Sequence, residues 1–78
     1  KENICLFTKL YNQKTGRYFI VDALHFSFES GQAQVSKVAM LDLNDRTRRW
    51  RPVEEIEGLI ELGTLNIGVA LIFNKNYH

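Results

Sequence analysis

The sequence predicts a mainly β fold, a small and strongly bent antiparallel barrel that carries one short helix. Three observations predict it. Runs rich in β-branched and aromatic residues alternate with short turns that hold Gly or Asn. The single proline, Pro52, is followed closely by Glu54 and Glu55, the pattern of a helix start. The chain has 78 residues, so one compact core is the limit, and closing the sheet hides most of its edges. The competing architecture is α+β, with one helix laid on an antiparallel sheet. Residues 1–78 are taken as a single domain.

Residues 4–11 are apolar and rich in strand formers, and predict a first strand. Residues 12–16 form a turn in which Gly16 is free to take positive φ. Residues 17–28 carry the strongest strand signal. Tyr18, Ile20, Leu24, Phe26 and Phe28 share one parity, whereas Phe19, Val21 and Ala23 occupy the other. Asp22 interrupts the apolar pattern and predicts a bulge or bend. After a turn at 29–32, residues 33–43 predict a third strand. Its apolar parity switches between Val35 and Val38, which places a second bulge near Ser36 and Lys37.

Residues 44–49 are expected to be a polar loop. A helix of one or two turns follows Pro52, with Val53, Ile56, Leu59 and Ile60 on one face and Gly58 as an early stop. Residues 59–62 fit a continued helix or a strand. Residues 65–73 predict the last strand, with Gly68 marking a close backbone approach. Residues 67–73 are apolar on both parities, so this strand is central or pairs with a second copy of the chain.

Composition excludes several classes. With 45% hydrophobic and 24% charged residues, the chain is globular rather than disordered. One cysteine cannot make an internal disulfide. Cys5 and an N-terminal Lys-Glu-Asn-Ile-Cys without a signal pattern lead us to expect a cytoplasmic protein. No apolar run reaches the length of a membrane span, so no membrane partner is expected. The net charge of +1 gives no global field that would announce a nucleic acid.

The sharpest local feature is Arg46-Thr47-Arg48-Arg49-Trp50-Arg51. Four guanidiniums around one indole suit acidic protein surfaces, and Arg and Trp are frequent interface anchors. The same residues would contact phosphates and stack a base. Four glutamates follow at 54, 55, 57 and 61, so the positive charge is partly cancelled by its neighbours. A protein partner is therefore the first reading and nucleic acid the alternative. Trp50 itself is expected to be mostly buried, closing one end of the barrel.

His25, Cys5 and Asp22 offer weaker leads. The two histidines and one cysteine make no metal set, and no cofactor is implied. A Cys5–His25 nucleophile pair has no local support, and Asp22 is expected to face solvent. Tyr11, Tyr18, Phe26 and Phe28 suggest an aromatic groove, with at least two of them in the core. An enzyme is the third reading, for want of a triad, metal set or acid pair.

Residues 16–21 (Gly-Arg-Tyr-Phe-Ile-Val), the Ser-Phe-Glu-Ser-Gly turn at 27–31, the strand ending Ala39-Met40-Leu41, and Trp50-Arg51-Pro52-Val53-Glu54 resemble a short bacterial domain family of unknown function. The resemblance spans residues 14–57. It implies an SH3-like barrel and carries no known activity.

Overall fold

The computed structural model describes residues 4–68. Five antiparallel strands form one sheet, and a single helix packs on it. The strands are β1 (Lys9–Asn12), β2 (Tyr18–Glu29), β3 (Gln32–Asp42), β4 (Arg48–Pro52) and β5 (Leu65–Ile67), and the helix α1 (Val53–Glu61) joins β4 to β5. The sheet order is β4-β3-β2-β1-β5. Consecutive strands β1 to β4 are neighbours, and β5 returns beside β1. Among the described residues β4 and β5 do not pair, so the sheet is open. The α+β arrangement fits, and the expected closed barrel is not formed by this ladder.

Two bulges give β2 and β3 one shared apolar face. Val21 pairs with Met40 and Ala23 with Ala39, which leaves Asp22 as the extra residue. The inserted residue turns the two apolar parities of β2 onto the same side: Phe19 and Val21 before it, Leu24, Phe26 and Phe28 after it. A second shift lies between His25–Lys37 and Phe26–Val35, with Ser36 the extra residue on β3. Both bulges stand where the sequence pattern breaks.

The core gathers on that face. Leu10, Val21 and Val38 are fully buried, and Ile4, Met40, Val53, Ile56 and Leu65 join them. Leu10 is central because β1 lies between β2 and β5, paired with Phe19 on one side and Ile67 on the other. The helix contributes Val53 and Ile56, one turn apart, with Leu59 and Ile60 packed against the cluster.

Several expectations are corrected. The first strand begins only at Lys9. Residues 5–8 instead form a turn, in which the Thr8 amide donates to the Cys5 carbonyl (3.1 Å) and Phe7 takes φ 70°. Residues 48 and 49, assigned to a loop, begin β4, which pairs along β3 from Leu41–Arg48 to Lys37–Pro52. Pro52 ends that strand and caps the helix, with φ −58° and ψ 140°. The helix runs nine residues through Gly58, which costs about 1 kcal/mol relative to Ala but does not stop it. It ends at Gly63 (φ +83°), whose amide donates to the Ile60 carbonyl. Gly68 takes φ +92°, and a Cβ there would meet nothing within 4 Å, so conformation rather than close approach accounts for it. Residues 69–73 of the expected last strand lie outside the described residues.

Candidate functional site

Two hairpin loops of the same construction stand side by side at one end of the sheet. In the first, Asn12 Oδ1 accepts from the amides of Lys14 (2.8 Å) and Thr15 (3.1 Å), and the Gly16 amide donates to the Asn12 carbonyl. In the second, Asp42 Oδ1 accepts from the amides of Asn44 (2.8 Å) and Asp45 (3.4 Å), and the Arg46 amide donates to the Asp42 carbonyl. Each loop closes by a bond from its first residue's amide, Asn12 to Arg17 and Asp42 to Thr47. Arg46 therefore occupies the position that Gly16 occupies, at φ +67° against +75°. A non-glycine residue held there costs about 1 kcal/mol or more.

Arg17 ties the loops together. Its Nη1 donates to Asp42 Oδ2 at 2.7 Å and to Asp45 Oδ2 at 3.3 Å. Asp42 is 6% exposed, the one buried charged residue among those described. Its burial pushes the carboxyl up, but the amides of Asn44 and Asp45 and the Arg17 guanidinium together outweigh that and hold it below its usual 3.8. Asp45 is also held down, first by the Thr47 hydroxyl and amide and then by Arg17. Arg17 is raised in turn by its bond to Asp42 and the charge of that carboxylate.

These shifts predict a pH dependence. A carboxylate whose folded value is depressed contributes stability that is present above the unfolded value and lost as pH falls through the folded one. The thermal midpoint is therefore expected to drop as pH is lowered below about 3.8, the ordinary value for Asp42 and Asp45. In the Asp42→Asn/Asp45→Asn variant, melted by circular dichroism across the same range, that drop should be shallower. An unchanged slope would contradict the role given to the two loops.

A groove of about 410 Å³ opens beside these loops, between α1 and the sheet. Phe19, Met40, Ile56, Leu59 and Leu65 supply its apolar lining, and Arg17, Arg49 and Arg51 supply cations. Asp42, Asp45 and Glu55 line it too. Arg51 Nε lies 3.8 Å from Glu55 Oε2, a loose pair one helical turn into α1. Arg49 has no acidic partner among the described residues.

The five residues singled out from the sequence do not form one cluster. Strand alternation divides β4. Arg49 and Arg51, opposite Met40 and Val38, face the groove. Arg48 and Trp50, opposite Leu41 and Ala39, face the other side of the sheet. Arg48 donates to Asp22 Oδ2 through Nε (3.1 Å) and Nη2 (2.8 Å). Asp22 is thus ion-paired and partly buried rather than solvent-facing, and its Oδ1 is buried without a partner. Arg46 stands in the loop, exposed and without an acidic partner among the described residues.

Trp50 is 48% exposed and does not close the core. It lines a shallow hollow with His25 and Lys37. The exposure follows from its place on an edge strand, on the face that no helix covers among the described residues. The aromatic groove is not assembled either. Tyr11 and Tyr18 pack with ring centroids 4.8 Å apart, while Phe26 and Phe28 lie exposed elsewhere, so none of the four is fully buried. His25 Nδ1 and Ser36 Oγ share a hydrogen bond of 2.9 Å, and Cys5 Sγ lies 3.4 Å from Thr8 Oγ1. No three His, Cys, Asp or Glu residues converge on a cation position among the described residues. No helix among them is long and apolar enough to cross a membrane.

Residue-by-residue reading passed over Arg17, Asp42 and Asp45. The signal for them was the Asx residue at Asp42, at the same place in its loop as Asn12. The sequence does not predict the groove, because only the docking of α1 sets Ile56 and Leu59 beside Phe19 and Met40. Compared with protein-family models, curated proteins and solved structures, the chain matches none.

Proposed function

We propose that this chain is a non-catalytic protein-interaction module that takes an extended, acidic segment of a partner protein along β4. The observation that carries this reading is the state of that strand. Among the described residues it is an edge strand of the sheet, all five of its residues are exposed, and of its groove-facing arginines Arg49 has no described carboxylate and Arg51 only a distant one. An outer strand offers unpaired amides and carbonyls to an added strand, which supplies affinity. Alternate side chains of that added segment then meet Arg49 and Arg51 on one face and Trp50 on the other. Apolar side chains of the same segment have the groove lining to fill. Arg46, kept at a conformation that glycine holds in the sister loop, adds a further cation at the end of β4.

Charge separates this reading from nucleic-acid binding. Carboxylates of Asp42, Asp45 and Glu55 line the groove together with its arginines. A continuous phosphate backbone would meet both signs, whereas a peptide can place a carboxylate at Arg49 and an apolar residue beside it. The SH3-like reading of the module rests on the strand order alone, in which β5 returns beside β1 and a helix joins β4 to β5.

The test is selection from a displayed library of random decapeptides, followed by titration of the selected peptide, a single-stranded DNA and an RNA oligonucleotide at 50 and 200 mM salt. Peptides alternating Asp or Glu with apolar residues should be enriched, and their affinity should fall less than about tenfold between the two salts. Contacts to six or more phosphates would cost about 10³-fold or more over the same interval. No acidic enrichment, or oligonucleotide binding with that steep dependence, would overturn the proposal.

A further inference from the structure

The far end of the sheet from the groove carries a separate surface. Among the described residues, β1 and the turn before it bond to β2 no further than Val21, and β4 pairs with β3 from Lys37 to Leu41. Beyond those limits the paired residues 26–35 form a ribbon of two strands whose outer edges are unpaired among the described residues. Its hairpin turns at Ser30 (φ 54°) and Gly31 (φ 78°), the two positive-φ positions of a tight two-residue turn.

The ribbon's two faces differ completely. The bulge at Ser36 aligns Ala33 and Val35 of β3 with Phe28 and Phe26 of β2. One face is therefore Phe26, Phe28, Ala33 and Val35, all apolar and continued by Leu24. The opposite face is Ser27, Glu29, Gln32 and Gln34, all polar. Leu24 and Val35 reach back to the core cluster, but Phe26 is 52% and Phe28 77% exposed. A two-stranded ribbon is marginal in water unless a further layer covers its apolar face.

We propose that a second copy of this chain provides that layer, the two apolar ribbon faces stacking about a twofold axis. Charge favours a copy over other occupants. Residues 23–36 contain one formally charged side chain, Glu29, and it lies on the polar face. Two copies can thus meet here with no like charges opposed. Meeting through β4 would bring arginine against arginine. An isologous contact requires a self-complementary surface, and an all-apolar face is one.

The area sets the strength. At about 150–250 Å² per phenylalanine, the exposed fractions of Phe26 and Phe28 amount to roughly 250 Å² per copy. That is about a third of the 800 Å² per partner in a standard interface. An area of this size predicts a weak, concentration-dependent dimer rather than an obligate one.

Sedimentation equilibrium of the full chain from about 5 µM to 1 mM tests this. The weight-average mass should rise from one chain toward two. Phe28→Asp should weaken association at least about thirtyfold, and Phe26→Ser should weaken it as well. Both positions are exposed, so each variant should melt within a few degrees of the parent. Leu62→Ser removes an apolar side chain that is 80% exposed but off the ribbon, and should leave association unchanged. A single-chain mass at 1 mM would overturn the proposal. So would a dimer indifferent to both phenylalanine substitutions, or one equally sensitive to Leu62→Ser.

Discussion

Leu10→Ala is expected to remove about 2–5 kcal/mol of folding stability. A chain of this length holds only about 4–12 kcal/mol in total. Leu10 is fully buried and sits where three strands meet, opposite Phe19 on β2 and Ile67 on β5. Truncation leaves a cavity in the core cluster, and the flanking backbones of β2 and β5, fixed in the ladder, limit how far it can collapse. The cost should therefore fall in the upper half of that range. Because β5 is only three residues long, its docking depends on this contact more than on its own hydrogen bonds. Urea unfolding followed by circular dichroism should show a large fall in the midpoint. A loss below about 1 kcal/mol would mean that β5 and β1 do not share the core as described.

Reversing the charge of the two groove-facing arginines is expected to weaken binding of the selected acidic peptide by about a hundredfold or more, which corresponds to about 2.7 kcal/mol. In Arg49→Glu/Arg51→Glu two attractions become repulsions, and carboxylates set against carboxylates across an interface cost several kcal/mol. The fold should tolerate the change. Both side chains are exposed, and the loose Arg51–Glu55 pair contributes little to stability. Calorimetric titration of parent and variant, with the melting temperature as a control, measures the effect. Arg48→Glu should act differently. Arg48 is held by Asp22, and its reversal would leave that carboxylate facing a like charge, so stability should fall more than affinity.

Much of the fold was legible because two parts of the chain state their structure locally. In β2 the apolar residues change parity at Asp22, and in β3 they change near Ser36. A strand that must keep one apolar face can do this only by inserting a residue, and bulges stand at both places. Val53, Ile56, Leu59 and Ile60 likewise fix which face of α1 packs on the sheet.

The failures have physical causes too. The sequence predicts a loop over the start of β4 because an edge strand with both faces exposed carries no alternation of apolar and polar residues. Its start was further hidden by Arg46, which does the work of a turn glycine without being one. The size of Trp50 predicts a core position, but among the described residues no layer covers the face on which it stands. Closure of the sheet depends on the approach of β4 to β5. That is a long-range property set by the nine-residue helix between them, and composition says nothing of it. The site was legible as a list of arginines but not as an arrangement. Only the register of β4 on β3 shows that Arg49 and Arg51 share the groove while Arg48 and Trp50 do not.

A charge swap across the proposed interface is the most direct measurement of whether β4 reads an acidic partner. The selected peptide is remade with each Asp and Glu replaced by Lys and titrated into both parent and Arg49→Glu/Arg51→Glu. The parent should bind the acidic peptide and reject the basic one, and the variant should do the reverse, regaining at least tenfold of the lost affinity. A variant that binds neither peptide while remaining folded, or a parent that binds both alike, would show that Arg49 and Arg51 do not make the contact.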